Sequence, residues 1–200
     1  ISKQGYHYNM VGDSQTNMPS DLAGQLLVAT PQMTDTRFRR KAIFMCQHDK
    51  QAAMGLVINN PSPDITLGKL NEKLSIETPR FDADEPVYIG GPVEPQRGYI
   101  LHSPDHMMPD TVTVTDDICL SVHVDMVKEI SRGIGPLLAK VMLGYAGWSA
   151  GQLAAEIEQN SWITVPADPK LVFETEDELK WTTASQTLGI DMNFFSHAVG

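Results

Sequence analysis

The chain has 200 residues, 42% hydrophobic and 20% charged, an ordinary globular composition for one domain. No run approaches the ~18 uninterrupted apolar residues of a membrane helix, and no basic segment followed by an apolar one opens the chain as a secretory signal would. Fifteen basic residues face 25 acidic ones, a net charge of −10 that opposes a duplex-DNA partner, while two cysteines, Cys46 and Cys119, are too few for a disulfide framework and fit a reduced cytoplasm.

Residues 1–17 are polar and aperiodic. They read as a tail or extension reaching to about residue 21, with Met18 as a candidate start and one compact domain over 22–200. Gln25–Ala29 is the first strand, ending before Pro31. Residues 41–47 and 53–59 form a hairpin across "HDKQA". Thr66 then caps a short helix whose apolar positions are Leu67, Leu70 and Leu74.

An acidic loop (77–86) leads to strands over 86–91 and 97–102, joined across "PVEPQ". Pro104 and Pro109 keep 102–110 irregular. Residues 111–124 give two strands around Asp116-Asp117, and 125–133 a helix closed by Gly133. A strand over 140–147 runs into a helix at Ser149. Gln152 lies three residues on, so the pair reads as a capping box, with Leu153 and Ile157 as the apolar stripe and Asn160 at the end. Residues 162–165 are a strand stopped by Pro166. The last helix is expected from Thr175, boxed by Glu178, with Trp181, Ala184 and Leu188 on one face and Gly189 after it. Strands first and alternating helices later make an α+β chain, a mixed α/β sandwich, not a doubly wound parallel sheet.

Gly147-Trp148-Ser149-Ala150-Gly151 is a literal G-x-S-x-G, the pattern of a nucleophile elbow. The partners are missing: the only later histidine is His197, with no series of βαβ units between. Ser149 therefore reads as a helix cap. Cys46 and His48 stand two apart on one strand and are expected on one face, but no third group orients the pair. His102, Asp105 and His106 carry metal-ligating side chains, yet Pro104 opposes the helix that would align the histidines, so they read as a solvated loop. Arg37, Arg39, Arg40 and Lys41 form the one basic cluster. No catalytic residue, metal or cofactor is expected.

Five segments occur in order: "LLVATPQMTDTRFRRKAIFMCQHD" (26–49), "AMGLVINNP" (53–61), "VYIGGPVEPQRGYILH" (87–102), "LGYAGWSAGQLAAEIEQNSW" (143–162) and "ADPKLVF" (167–173). Together they resemble the AlgH family of bacterial proteins, also called YqgE-like, over about residues 22–191. The resemblance implies a compact cytosolic protein and an α/β sandwich around a bifurcated, barrel-like, mostly antiparallel or mixed sheet with flanking helices. Family members are commonly labelled transcriptional regulators, with no established molecular activity, so no catalytic residue or cofactor carries over. They often place another small residue where Ser149 stands, a second reason against a nucleophile.

The glycine–aromatic segments are the candidate binding site: Gly90, Gly91 and Pro92 on one strand end; Tyr145, Gly147, Trp148, Ser149, Gly151 and Gln152 on another; and Asn59 at the end of the hairpin. Glycines at a strand end mark a close backbone approach or a bound ligand. The expected function is a non-catalytic regulatory or adaptor protein that binds a protein or small ligand at a cleft there, as a monomer or weak oligomer with no membrane partner. The alternatives are a transcriptional regulator acting through nucleic acid and a hydrolase-type enzyme using Cys46 or Ser149.

Overall fold

A computed structural model describes residues 21–77 and 83–192. The expected tail lies outside them apart from exposed Asp21, and Leu22, where the expected domain opens, is core, 2% exposed. The strands are β1 (Gln25–Ala29), β2 (Ala42–His48), β3 (Ala52–Val57), β4 (Pro61–Thr66), β5 (Pro86–Ile89), β6 (Val93–His102), β7 (Val112–Thr115), β8 (Ile118–Ser121), β9 (Ala139–Ser149) and β10 (Trp162–Pro166). The helices are α1 (Leu67–Lys73), α2 (Val124–Ser131), α3 (Gln152–Glu158) and α4 (Asp177–Gln186). The main path of the sheet runs β10-β1-β2-β3-β9-β6-β8-β7.

β9 is where the sheet divides. Its far half, Ala146–Ser149, pairs antiparallel with β3. Its near half, at Met142 and Leu143, instead pairs parallel with β5, which in turn holds β4. β6 runs antiparallel along its other side. The result is a curled, mostly antiparallel half-barrel with flanking helices, the mixed α+β architecture expected.

The curl makes an inner and an outer face. The inner face gathers Leu26, Phe44, Leu56, Tyr99, Leu101, Ile118 and Met142 from the strands, with Trp181 and Ala184 of α4 packed against them. Trp181 also donates its indole N–H to Ala29 O at 2.7 Å, so burial does not orphan it. Outside, α3 covers Leu27, Ile43, Ala146 and Trp162 through Leu153. α1 and α2 cover Val87, Ile100 and Val141 through Leu67, Met126 and Ile130. Alternating strand residues feed the two faces, which is why β1 and β2 read as continuous apolar runs.

Several local expectations change. Thr66 caps α1 as expected, accepting from Lys69 N–H at 3.3 Å. Ser149 does not cap α3. It is the last residue of β9, and Gly151, at φ 74°, occupies the cap position. Only the reverse half of the box forms: Ser149 N–H donates to Gln152 Oε1 at 3.1 Å. Thr175 does not cap the last helix either. A π-helical turn over Lys170–Glu174 precedes it, and Thr175 donates N–H and hydroxyl to Lys170 O. Leu188, expected on the buried face of α4, is 47% exposed because the helix ends at Gln186.

Candidate functional site

The two glycine-rich segments do meet, and they meet as backbone. A Cβ on Gly91 would fall closer than 3.0 Å to Tyr145 C and O, and one on Gly90 closer than that to Gly144 O. Gly90 N–H donates to Leu143 O at 2.8 Å and Val57 N–H donates to Gly90 O at 2.9 Å, so Gly90 links β3 to β9 at the fork. Gly144 has φ 72°, and a Cβ there would press on Gly91 O, Val93 O and Pro95 Cα. Here no other residue fits, by conformation and by space. Gly90, Gly91 and Gly144 therefore serve a chain crossing and do not floor the expected cleft. Pro92 follows on the exposed side of that crossing.

After the crossing β6 bulges. Val93 pairs with Tyr145, yet Gly98 already pairs with Leu143, so the chain between them arches away from β9. The arch makes one rim of a groove of about 570 Å³. The groove is lined by Gln47, Ala52, Ala53 and Met54 of the hairpin, Val93, Glu94, Arg97 and Tyr99 of the arch, Leu120, and Tyr145, Gly147 and Trp148 of β9. Of the expected site residues, Tyr145, Gly147 and Trp148 reach it.

Tyr145 and Trp148 are three apart on a strand, so they face opposite sides of the sheet. Tyr145 is half-buried and meets the Tyr99 ring edge-on, centroids 5.9 Å apart. Trp148 is 5% exposed and belongs to the outer core. Its indole N–H donates to Glu156 Oε2 at 2.9 Å, and that same oxygen accepts from Trp162 Nε1 at 2.8 Å. Gln152 holds the other carboxylate oxygen at 3.0 Å. Trp148 is thus chiefly an anchor for α3, while Tyr145 is the more open of the two aromatics that line the groove. Ser149, Gly151 and Gln152 sit at that helix start, outside the groove lining. Asn59 is structural as well: its side chain accepts from Ala42 N–H at 3.0 Å and donates to Arg40 O at 2.9 Å.

The remaining candidates resolve individually. Cys46 and His48 do not pair. The β2–β3 register shifts between Met45 and Gln47, and burial pushes the Cys46 thiol up, away from the reactive thiolate. His48 Nδ1 instead accepts from Leu22 N–H at 3.0 Å. His102 is fully buried between Ser103 O and Ser121 Oγ, and burial lowers its pKa. His106 contacts Glu129, and Asp105 accepts from Ser103 and from Leu137 N–H. Among the described residues no three metal-ligating side chains converge. Ser149 Oγ meets Gln152 Oε1 at 3.3 Å, an amide that cannot take its proton. His197 lies outside the described residues.

The basic cluster is largely engaged within the fold. Arg37 pairs with Asp35 at 2.7 Å, Arg40 stacks on Trp181 with 4.6 Å to the centroid, and Lys41 reaches Asn60 at 2.9 Å.

A charged cluster that sequence reasoning missed lies under α4. Asp177 accepts from Tyr88 Oη at 2.8 Å and from Lys180 at 2.6 Å, while Lys140 stands 3.7 Å away with its ammonium 3.8 Å from the Tyr88 ring centroid. Burial, then the neighbouring Lys180, pulls the Lys140 pKa down to about 8. Burial and Asp177 push Tyr88 up. The available signal was Lys140 itself, a charge opening an otherwise apolar strand.

With the geometry in place, the relatives are informative. The sequence profile described as AlgH-like matches residues 26–193. The chain belongs to the AlgH-like family. It is 43% identical over 189 residues to a UPF0301 protein of Methylobacterium nodulans, covering 90% of each chain, and 44% identical over 182 residues to one of Ruegeria pomeroyi, covering 90% of this chain and 98% of that one. The solution structure of the AlgH protein from Pseudomonas aeruginosa superposes with a TM-score of 0.75 at 34% identity, over 92% of this chain and 97% of that one. Protein DIP2367 of Corynebacterium diphtheriae shares the fold, with a TM-score of 0.71 at 22% identity over 88% and 91% of the two chains. The family is bacterial in these members, and among the described residues no helix is long and apolar enough to cross a membrane.

Proposed function

We propose that the protein is a non-catalytic cytoplasmic binding or adaptor protein, and that its site is the groove between the hairpin, the β6 arch and β9. The carrying observation is the groove's chemistry. Met54, Leu120, Tyr99 and half-buried Tyr145 offer an apolar, aromatic bed, while Gln47, Glu94 and Arg97 stand at its edge. Such a bed with few polar groups at the rim suits one apolar or aromatic side chain of a ligand and one polar group beside it. Arg97 pairs with Glu94 at 3.3 Å and lies over the Tyr99 ring, so it is held where an incoming carboxylate could displace Glu94. The glycine crossing fixes the arch and hence the groove's shape. That gives Gly90, Gly91 and Gly144 their place in function without direct contact.

The test is an NMR titration of the whole chain with N-acetyl-tryptophan and its uncharged amide. Saturable shifts at Met54, Tyr99 and Tyr145 are expected, stronger for the carboxylate, weakened by Arg97→Gln and abolished by Tyr145→Ala. Shifts that ignore these residues, or none up to millimolar probe, refute the assignment.

A further inference from the structure

Among the described residues nine large hydrophobic side chains are exposed, and six come from residues 107–137: Met107, Val112, Val122, Val124, Ile134 and Leu137. Leu137 is 86% exposed and Ile134 60%. The segments that carry them are pinned together. Leu137 N–H donates to Asp105 Oδ2 at 3.0 Å, Leu138 N–H donates to Ser103 Oγ at 3.0 Å, and His106 meets Glu129. Val122 N–H donates to Asp110 Oδ2 at 3.3 Å, and the Cys119 thiol lies 3.7 Å from Met107 Sδ. Val112 sits on β7 opposite Leu120 of the groove and is not part of this cluster. Scattered exposed hydrophobics need no explanation, but a concentration rimmed by charge marks an interaction face.

The rim has one sign. Asp105, Asp110, Asp116 and Asp117 are exposed on the same segment of chain, and Asp125 and Glu129 are half-buried on it. Residues 103–138 supply only Lys128 and Arg132 in return, and Lys128 is already tied to Asp125 at 3.0 Å. The Ser103 hydroxyl holds Asp105 below the usual carboxylate range, so it stays charged. We propose that this face docks a cationic amphipathic segment of a partner protein, its apolar side chains on Leu137 and Ile134 and its Lys or Arg side chains on the aspartates. Charge selects that occupant. A second copy of this chain would set aspartate against aspartate, and nucleic acid or an anionic bilayer would be repelled by the rim and by the net −10. Ile134 and Leu137 are not among the residues that line the groove, and an adaptor needs two such surfaces.

The experiment titrates isotope-labelled full-length protein with three synthetic peptides of equal length: alternating Leu and Lys, alternating Leu and Glu, and alternating Gly and Lys. Amide shifts report where each binds. The Leu–Lys peptide should shift residues within 105–137 and bind at least about tenfold more tightly than either control, with affinity falling as salt rises. Ile134→Ser with Leu137→Ser should remove that binding. Asp116→Asn with Asp117→Asn should weaken it several-fold, while both double variants melt near wild type. Shifts spread over the acidic surface, shifts in the Tyr145 groove, equal binding of the Leu–Glu peptide, or no binding at millimolar peptide each overturn the proposal. Concentration-dependent self-association lost in Leu137→Ser assigns the face to a homodimer and overturns it as well.

Discussion

Tyr145 and Trp148 lie three residues apart in one strand and lead opposite lives. Trp148 is closed in, its N–H satisfied by Glu156 and its ring edge-on to Trp162 with centroids 6.2 Å apart. Tyr145 borders open space against Tyr99 and the arch. One short motif thus supplies both an anchor and a candidate contact, and strand alternation decides which is which. Residue type alone could not, because both rings are large and amphipathic.

Removing what places both rings should cost most. Gly144→Ala adds a left-handed backbone penalty to a Cβ pressed on Gly91 O. The expected loss is about 5 kcal/mol, enough to unfold many domains. A well-folded variant with an unchanged denaturation midpoint would show that the crossing tolerates bulk.

Next comes the pair that the comparison sets side by side. Trp148→Ala leaves a cavity and unpairs one indole contact of Glu156, for about 3–4 kcal/mol. Tyr145→Ala, half-buried, should cost about 1–2 kcal/mol and empty the groove of its ring. Urea unfolding measures both. Equal losses in the two variants would contradict the anchor-and-contact division.

The Lys140 cluster gives a pH-resolved effect. Its folded pKa, about 8, lies below the ordinary lysine value of 10.5. The unfolded chain therefore holds the proton more tightly, and stability from this group rises as pH climbs from about 8 towards 10.5. Below about 8 the folded state bears the full cost of a buried ammonium. Lys140→Met should accordingly stabilise by about 2–3 kcal/mol at pH 7, with the gain vanishing near pH 10. Tyr88, raised by burial and Asp177, makes folding less favourable once pH passes the unfolded tyrosine value, but it is present in both proteins and largely cancels in the difference. Thermal melts of both at pH 7 and pH 9.5 supply the numbers; a difference independent of pH would mean that Lys140 titrates normally.

Much of the fold was legible because its signals are local. Thr66 before an i, i+3, i+7 leucine pattern needs no tertiary information, nor does the hairpin or the Asp116-Asp117 turn. β4 was missed because Pro61 and Pro63 carry no strand signal. The strand pairs only with β5, off the main path, where proline costs no ladder bond on its open side. Thr175 misled because a π-helical turn, stabilised through Lys170 O, takes up the threonine before α4 begins. Within the site, Tyr145 was visible, and so was the meeting of GG with GYAG. The other wall was not, because Met54, Tyr99, Leu120 and Arg97 come together only through the β6 bulge. Pro95, a proline amid strand formers, was the local hint of that bulge. The cluster of Tyr88, Lys140, Asp177 and Lys180 spans more than ninety positions and has no sequence pattern at all.

The smallest effect concerns the residue with the most suggestive motif. Ser149 is exposed at the end of β9, and its hydroxyl touches only the Gln152 amide oxygen at 3.3 Å. The bond that matters there, Ser149 N–H to Gln152 Oε1 at 3.1 Å, uses backbone and survives loss of the hydroxyl. Ser149→Ala should therefore shift stability by less than about 0.5 kcal/mol, short of the ~1 kcal/mol an N-cap serine usually contributes. Gly151→Ala should cost more, about 1 kcal/mol, although a Cβ there meets nothing within 4 Å, because its φ of 74° is strained for any side chain. Gln152→Ala should fall between them, losing the back-bond to Ser149 and the support it gives Glu156. Chemical denaturation of the three variants orders them. If Ser149→Ala proves the most costly, or if a fluorophosphonate probe labels Ser149 in the wild type, the serine has a role that its surroundings do not reveal.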